Sequence, residues 1–472
     1  MRFAERAAGG GKLQKAAQQT TVLLGFLVLA MLVSGCNGLP KTAATPSPST
    51  QPSPRDYMAP YVIGDTTPGF SVSQYQFDDT AQTFSKSTYL LNPSFGQQGA
   101  QIYLSGATNS ATGGMLSLEL EFSNSGQGNT KTYNPPQPGS WAIELPNQAG
   151  GLVQMNGQPV EPIVAATSCP DYKTSQTYQF VTIPASMLIG GAVPQPYTWD
   201  PTQETVYGSV DITGSGSKIT FSNIHQYAMP AAPGGPPVPP TTAAVSPQTG
   251  TCSAGYYGNT TVVPGDLTVT NPGPNSDAPP VALVGIGPTG LLIESNAANG
   301  EIADVPFYQN LLGAGTGAIG LPKPSSAIAT SSLVSAQYLG FFYGSGDGNN
   351  DWSSYIASFG FNTLPASCNS VAAPSSTLIY GGEFPGNNPA TTANCDIAVD
   401  LGAQDPQNAG LYPAATIHMG QFFKGNQLVT NYTVPAVAIA GQLGSKNAIF
   451  VLGVDTTGIP NQAWGIYLLQ SN

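Results

Sequence analysis

Thr205-Val-Tyr-Gly-Ser-Val-Asp-Ile212, then Thr213-Gly-Ser-Gly-Ser217, then Lys218-Ile-Thr-Phe221, is the stretch whose reading decides the fold. Val206, Val210 and Ile212 alternate with polar or small neighbours, as residues on one face of a pleated strand do. Ile219 and Phe221 repeat the alternation. The five residues between hold only Thr, Gly and Ser, a composition that turns the chain back on itself. The stretch predicts a β-hairpin with one buried face.

Similar runs recur on both sides of it. Met115–Phe122, Tyr178–Ile183, Val281–Val284, Gly290–Ile293, Tyr338–Tyr343, Thr377–Tyr380, Ala448–Leu452 and Trp464–Leu469 are short, apolar or alternating, and bounded by Gly, Pro or Asn. Helical patterns are few, and Ser331–Gln337 is readable as helix or as loop. The predicted class is all-β, with several sheets. Two internal echoes point the same way. Pro279-Pro-Val-Ala-Leu-Val-Gly285 is similar to Pro435-Ala-Val-Ala-Ile-Ala-Gly441, and Tyr343–Asn350 to Tyr380–Asn388. The second pair is spaced near the length of a propeller blade. A propeller-like arrangement is therefore expected, with two β-sandwiches as the alternative.

Composition narrows the setting. Charged residues make up 8% of the chain, and acids outnumber bases 25 to 13. Ordinary soluble domains carry roughly 25% charged residues, so Gly, Ser, Thr, Asn and Gln must cover this surface. A net charge of −12 repels nucleic acid, so no nucleic-acid partner is expected.

The N-terminus has three parts. Arg2, Arg6, Lys12 and Lys15 form a basic leader. Thr21–Val33 is an apolar run too short for the roughly 20 residues of a membrane-spanning helix. Val33-Ser-Gly-Cys36 closes it. This is a signal-peptide pattern, and its end resembles the lipobox of bacterial lipoproteins. The resemblance implies cleavage before Cys36 and attachment of fatty-acyl chains there, palmitate among them. Several chains hold a protein at a membrane where one holds only marginally. Asn37 in place of an aspartate implies the outer membrane, with the protein facing the periplasm or the surface. Residues 1–35 are then the signal peptide. Their removal takes the chain from 13 basic and 25 acidic residues to 9 and 24, a charge of −15. Residues 36–56 form a Pro/Ser/Thr spacer unable to bury a core. Residues 57–472 form the β domain; a Pro-rich stretch near 229–250 is either a linker dividing it into two halves or a long surface loop, and a Cys169–Cys252 pairing favours the loop.

Four cysteines follow Cys36: Cys169, Cys252, Cys368 and Cys395. An even count in an exported chain predicts two disulfides. Nearest-neighbour pairing joins Cys169 to Cys252 and Cys368 to Cys395. A zinc site is a poor rival, since the chain has no Cys-x-x-Cys and two histidines.

Catalytic motifs fail on inspection. His225 and His418 are the available triad bases, and no Gly-x-Ser-x-Gly elbow accompanies them. In Ala415-Thr-Ile-His-Met-Gly420, Ile417 and Met419 share one face and His418 lies on the other. Gly315-Thr-Gly-Ala-Ile-Gly320 has the dinucleotide spacing, but Pro322 and Pro324 forbid the helix that motif needs, so it reads as a loop. Val454-Asp455-Thr-Thr-Gly458 misses the aspartic-protease turn by one threonine and lacks a second copy. Asp347, Asn349 and Asp351 stand at alternate positions, as oxygen ligands for Ca²⁺ do. Trp352 and Ser358 occupy the places of the EF-hand glycine and glutamate, so an ordinary turn is the expected reading and Ca²⁺ the rival. No other cofactor is expected. A carboxylate pair for glycan hydrolysis would have to come from the 24 acids, and the sequence does not select two of them.

Tyr338-Leu-Gly-Phe-Phe-Tyr-Gly344, the lipobox and the spacer together resemble uncharacterised lipoproteins of beta-proteobacteria. That family implies no activity and carries no catalytic residue over. The chain reads as a lipid-anchored envelope protein displaying a β domain for binding or structural work, before it reads as an enzyme. Its partners are then the membrane, through the anchor, and a glycan or protein ligand. The alternative is a secreted-type hydrolase acting on glycans through carboxylates.

Overall fold

The structure is a computed structural model. It describes residues between 55 and 471: the strands named below with a few flanking residues, and 317–471 except 346–351, 362, 386–390, 425–426 and 456–461. The signal peptide, Cys36 and nearly all of the spacer lie outside the described residues, as do Cys169, Asp347, Asn349 and Asp351.

The chain is all-β, and its strands form three large sheets. The first has 11 strands: β1 (Arg55–Tyr61), β2 (Phe70–Asp78), β3 (Thr83–Leu91), β4 (Ile102–Ala107), β5 (Ala111–Thr112), β6 (Met115–Glu119), β7 (Ser123–Gly126), β8 (Asn129–Thr132), β9 (Trp141–Glu144), β10 (Gly150–Gln154) and β11 (Val160–Val164). Their order is β5-β6-β9-β10-β11-β1-β2-β3-β4-β7-β8. The buried Tyr75 hydroxyl donates to the Glu161 carboxylate, so a buried charge on β11 has a donor on β2.

The second sheet closes on itself. It runs β12 (Tyr172–Ile183), β13 (Val206–Ser215), β14 (Lys218–Ala228), β15 (Gln248–Ser253), β18 (Asp266–Thr270), β19 (Pro280–Ile286), β20 (Leu292–Asn296) and β21 (Gly317–Pro322). A small hairpin of β16 (Tyr256–Tyr257) and β17 (Thr260–Thr261) is inserted. The predicted hairpin is β13–β14, and it is tighter than its glycines suggested: Ser215 pairs with Lys218, leaving two residues in the turn. Val206, Val210, Ile212, Ile219 and Phe221 point into the barrel with Tyr178, Phe180 and Leu292. Each such side chain, fully buried, contributes ~1.5–3 kcal/mol.

The third sheet is also a closed barrel: β22 (Tyr338–Ser345), β23 (Trp352–Phe359), β24 (Leu378–Glu383), β25 (Ile397–Asp400), β26 (Leu411–Lys424), β27 (Gln427–Leu443), β28 (Lys446–Asp455) and β29 (Gln462–Gln470). Every pair is antiparallel, and β22 pairs with β29 to complete the circle. Eight strands enclose a space that side chains fill. Here Ile417, Met419, Val434, Ala436, Ala438, Ile449, Val451, Trp464 and Ile466 fill it.

The sheets are therefore several, as expected, but they close into barrels; they are neither propeller blades nor paired sandwiches. Closure removes the edges that a sandwich leaves open. The Pro-rich stretch lies between two strands of one barrel, as its loop reading expects. β14 and β15, which flank it, are hydrogen-bonded neighbours in one barrel. The passage from one barrel to the next is the segment between β21 and β22. The match at Gly315–Gly320, read as a loop, lies largely in β21. Pro322 is tolerated there as the last residue of the strand.

The outer walls pack together. Val181, Tyr207, Leu291, Ile293, Ile319 and Leu321 of the first barrel share one core with Val437, Ile439, Phe450, Leu452 and Tyr467 of the second, and with Ile143, Leu152 and Val164 of the N-terminal sheet. Polar groups lock the barrel-to-barrel contact. Gln179 Nε2 donates to the Ala409 carbonyl at 2.9 Å, and Lys323 Nζ to Gln407 O and Asn408 Oδ1.

Candidate functional site

In an up-and-down barrel, alternate connections leave from opposite ends. In the C-terminal barrel one end is plugged. Helix α1 (Thr330–Val334) inserts Leu333 into the barrel core. Tyr338 Oη donates to the Leu333 carbonyl at 2.8 Å, and Gln404 Nε2 reaches Ile328 O and Tyr412 Oη. Burial, with Tyr412 adding to it, holds the Tyr338 hydroxyl above the ordinary tyrosine range. This is the segment that the sequence left between helix and loop.

The other end is the candidate site. There β22, β24, β26 and β28 finish and β23, β25, β27 and β29 begin. Barrel mouths are common ligand sites because side chains from several strands converge on them. At this mouth Tyr432 on β27 donates its hydroxyl to the Asp455 carboxylate on β28. Asp455 is only 6% exposed. The alternation that places Ile449 and Val451 inside the barrel turns Asp455 inward as well. Burial first, then the hydrogen bond and charge of Asp455, push the Tyr432 hydroxyl far above its ordinary range. The Tyr432 ring lies 5.7 Å from that of Trp464, tilted by 60°. Trp464 is fully buried, and its indole rests against Gly344, where a Cβ would stand 2.7 Å from Nε1.

A second group lies across the β24–β25 connection. Asn394 donates its backbone N–H to the Glu383 carbonyl at 2.9 Å and its Nδ2 to Glu383 Oε1 at 3.1 Å. That holds Glu383 beside Asp396. Burial, then the Glu383 charge and a carboxyl–carboxyl hydrogen bond, push Asp396 up to about 7.

Cys368 and Cys395 form a disulfide, with Cα atoms 5.0 Å apart. Cys368 sits in a 3₁₀ turn, Ala366–Ser370. The segment carrying that turn crosses the outer wall of β24 and β25, where Cys368, Val371, Leu378, Tyr380 and Ala398 cluster. The disulfide thus fastens a strap beside Asp396. Cys252 lies in β15, but the proposed Cys169–Cys252 bond involves residues outside the described ones.

Other sequence candidates fall elsewhere. His225 and His418 lie on different barrels, on β14 and β26. His418 is on the outer wall as the alternation required, 3.4 Å from Thr433 Oγ1. Burial lowers its pKa, opposed by Asp400. Asp347, Asn349 and Asp351 belong to the β22–β23 connection, outside the described residues. Among the described residues no group of three or more His, Cys, Asp or Glu is placed to hold a metal ion. Asp455, first noticed for a failed protease motif, belongs to the mouth. Tyr432, Trp464, Glu383 and Asp396 had no sequence signal of their own.

No family model matches this chain, and no curated protein does. Among solved structures it is similar to intact Ap-TbpB, N and C lobes, at 8% identity and a TM-score of 0.20, covering 88% of this chain and 75% of that one. It is similar also to isotype 1 transferrin binding protein B of serogroup B Neisseria meningitidis, at 10% identity and a TM-score of 0.21, covering 85% of this chain and 65% of that one. Likeness at this level carries no argument. The fold itself defines the class: an open N-terminal sheet followed by two up-and-down eight-stranded barrels.

Proposed function

We propose that this chain is a lipid-anchored envelope protein whose C-terminal barrel binds a ligand at its mouth. The anchor rests on the apolar run ending in Val-Ser-Gly-Cys36 and on the spacer behind it. The binding site rests on one observation: the barrel is plugged by α1 at one end and turns Tyr432, Asp455 and Trp464 inward at the other. Outer-membrane location and a protein or glycan ligand belong to the same reading.

Two experiments test it. Labelling with a fatty-acid analogue should mark the wild-type chain and spare Cys36→Ser; equal labelling would remove the anchor. The full chain in detergent is then compared with Tyr432→Phe/Asp455→Asn and with the outer-wall control His418→Gln, against panels of glycans and of proteins. Loss confined to the mouth variant supports the site. Equal binding by both variants, or by none of the three chains, overturns it.

Asp396, lifted to about 7 by burial and then by its neighbour Glu383, favours carboxylate-based hydrolysis as a second reading. Their contact counts against glycans, however. Glycosidase carboxyls stand ~5 Å or more apart to admit the sugar or a water, and these two are immediate neighbours.

A further inference from the structure

The hairpin of β26 and β27 overruns the barrel. β25 pairs with β26 only as far as Met419, and β28 pairs with β27 only from Ala436. Beyond those points the two strands pair with each other, up to Lys424 opposite Gln427. They form a two-stranded arm at the mouth. The arm turns at its root, where Asn431 takes a left-handed backbone, φ 55°. Gly420 faces it across the ribbon and donates its N–H to the Asp396 carbonyl at 2.7 Å. Tyr432, next along, bonds Asp455. The arm is thus rooted between Asp396 on the outer wall and Asp455 inside the mouth.

Among the described residues its β27 side is an open edge: no strand pairs with the outer side of Leu428–Asn431. Proteins usually blunt such an edge with lysine, proline or a short strand. Leu428-Val-Thr-Asn431 has neither lysine nor proline, and Leu428 is 51% exposed. A strand edge is completed by another strand, through main-chain hydrogen bonds. The charge selects which strand. Glu383, Asp396 and Asp455 surround the root, the chain carries a net −12, and Lys424 is the one basic residue from 420 to 435. A second copy would bring the same acids together. A basic segment would neutralise them.

We propose that the arm binds an extended, basic segment of a partner protein, which adds to the outer edge of Leu428–Asn431 as a further strand. The inference rests on the mouth being a binding site and names its partner class.

The test uses the full chain in detergent and a fluorescent seven-residue peptide alternating Val and Thr with three lysines. Controls are the same peptide N-methylated at alternate amides, and a version with Glu for Lys. Wild type should bind the first peptide at least tenfold more tightly than either control. Leu428→Lys should weaken binding at least tenfold with an unchanged melting temperature. Equal binding of the N-methylated peptide, or no binding of the lysine peptide, overturns strand addition. A dimer of the free chain that Leu428→Lys dissolves would give the edge to a second copy and overturn the partner. If mouth variants lose ligand from the panels while the lysine peptide never binds, strand addition alone fails and the site stands.

Discussion

Gly285 and Gly441 hold the same place in successive barrels, and each packs against the module before it. Gly285 is on β19, the sixth strand of the first barrel; Gly441 is on β27, the sixth strand of the second. A Cβ on Gly285 would stand 2.9 Å from Val164 Cγ2 of the N-terminal sheet, and one on Gly441 3.1 Å from Leu321 Cβ of the first barrel. These are the ends of the two similar segments, Pro279–Gly285 and Pro435–Gly441. The echo is a shared solution to packing one module on the next.

Filling that contact should loosen it. Gly441→Leu is expected to destabilise the chain by ~1–3 kcal/mol, the usual cost of overpacking a dense core. Gly441→Ala should cost less, because Leu321 needs to move only a little. Denaturant unfolding of both variants checks this.

Tyr432→Phe takes a donor from the buried Asp455 carboxylate. The expected loss is ~1–3 kcal/mol. Thr433→Val, the exposed neighbour on β27, should stay within ~0.5 kcal/mol. Similar losses at both positions would make Tyr432 a packing residue only.

Asp396 supplies a pH dependence. With its carboxyl lifted to about 7 by burial and then by Glu383, the folded chain holds a proton that an unfolded aspartate releases near pH ~4. Between those values the folded state binds more protons. Its stability therefore falls as the pH rises through the window and levels off above it. Asp396→Asn should flatten that fall. Melting temperatures from pH 4 to 8 show whether it does.

Reduction of Cys368–Cys395 opens a covalent loop of 27 residues. Chain entropy sets the expected cost at ~3 kcal/mol. Non-reducing peptide maps should recover the two cysteines joined, and Cys395→Ala should match the reduced chain in stability.

Local patterns were legible and long-range closure was not. The alternation in Val206–Ile212 and the split of Ile417 and Met419 from His418 were read directly, because side-chain direction follows from strand geometry alone. Nothing near Tyr338 announces that its strand pairs with Gln470 across the whole barrel. The acids show the same limit. Glu383 and Asp396 meet because the chain folds back between β24 and β25, and the sequence between them states neither the register nor the connection. Gly317–Pro322 was misread because its prolines suggested a loop, although the last residue of a strand accepts one.

The meander has a consequence in time. Seven of the eight pairings in the C-terminal barrel join strands that follow one another, and such hairpins form in microseconds. The eighth, β22 with β29, spans Tyr338 to Gln470. It waits until β29 has been synthesised. Before then β22 and β28 have each found one neighbour and not the other. The slow step of folding and the period of greatest exposure to other chains are the same interval, and it ends when the circle closes.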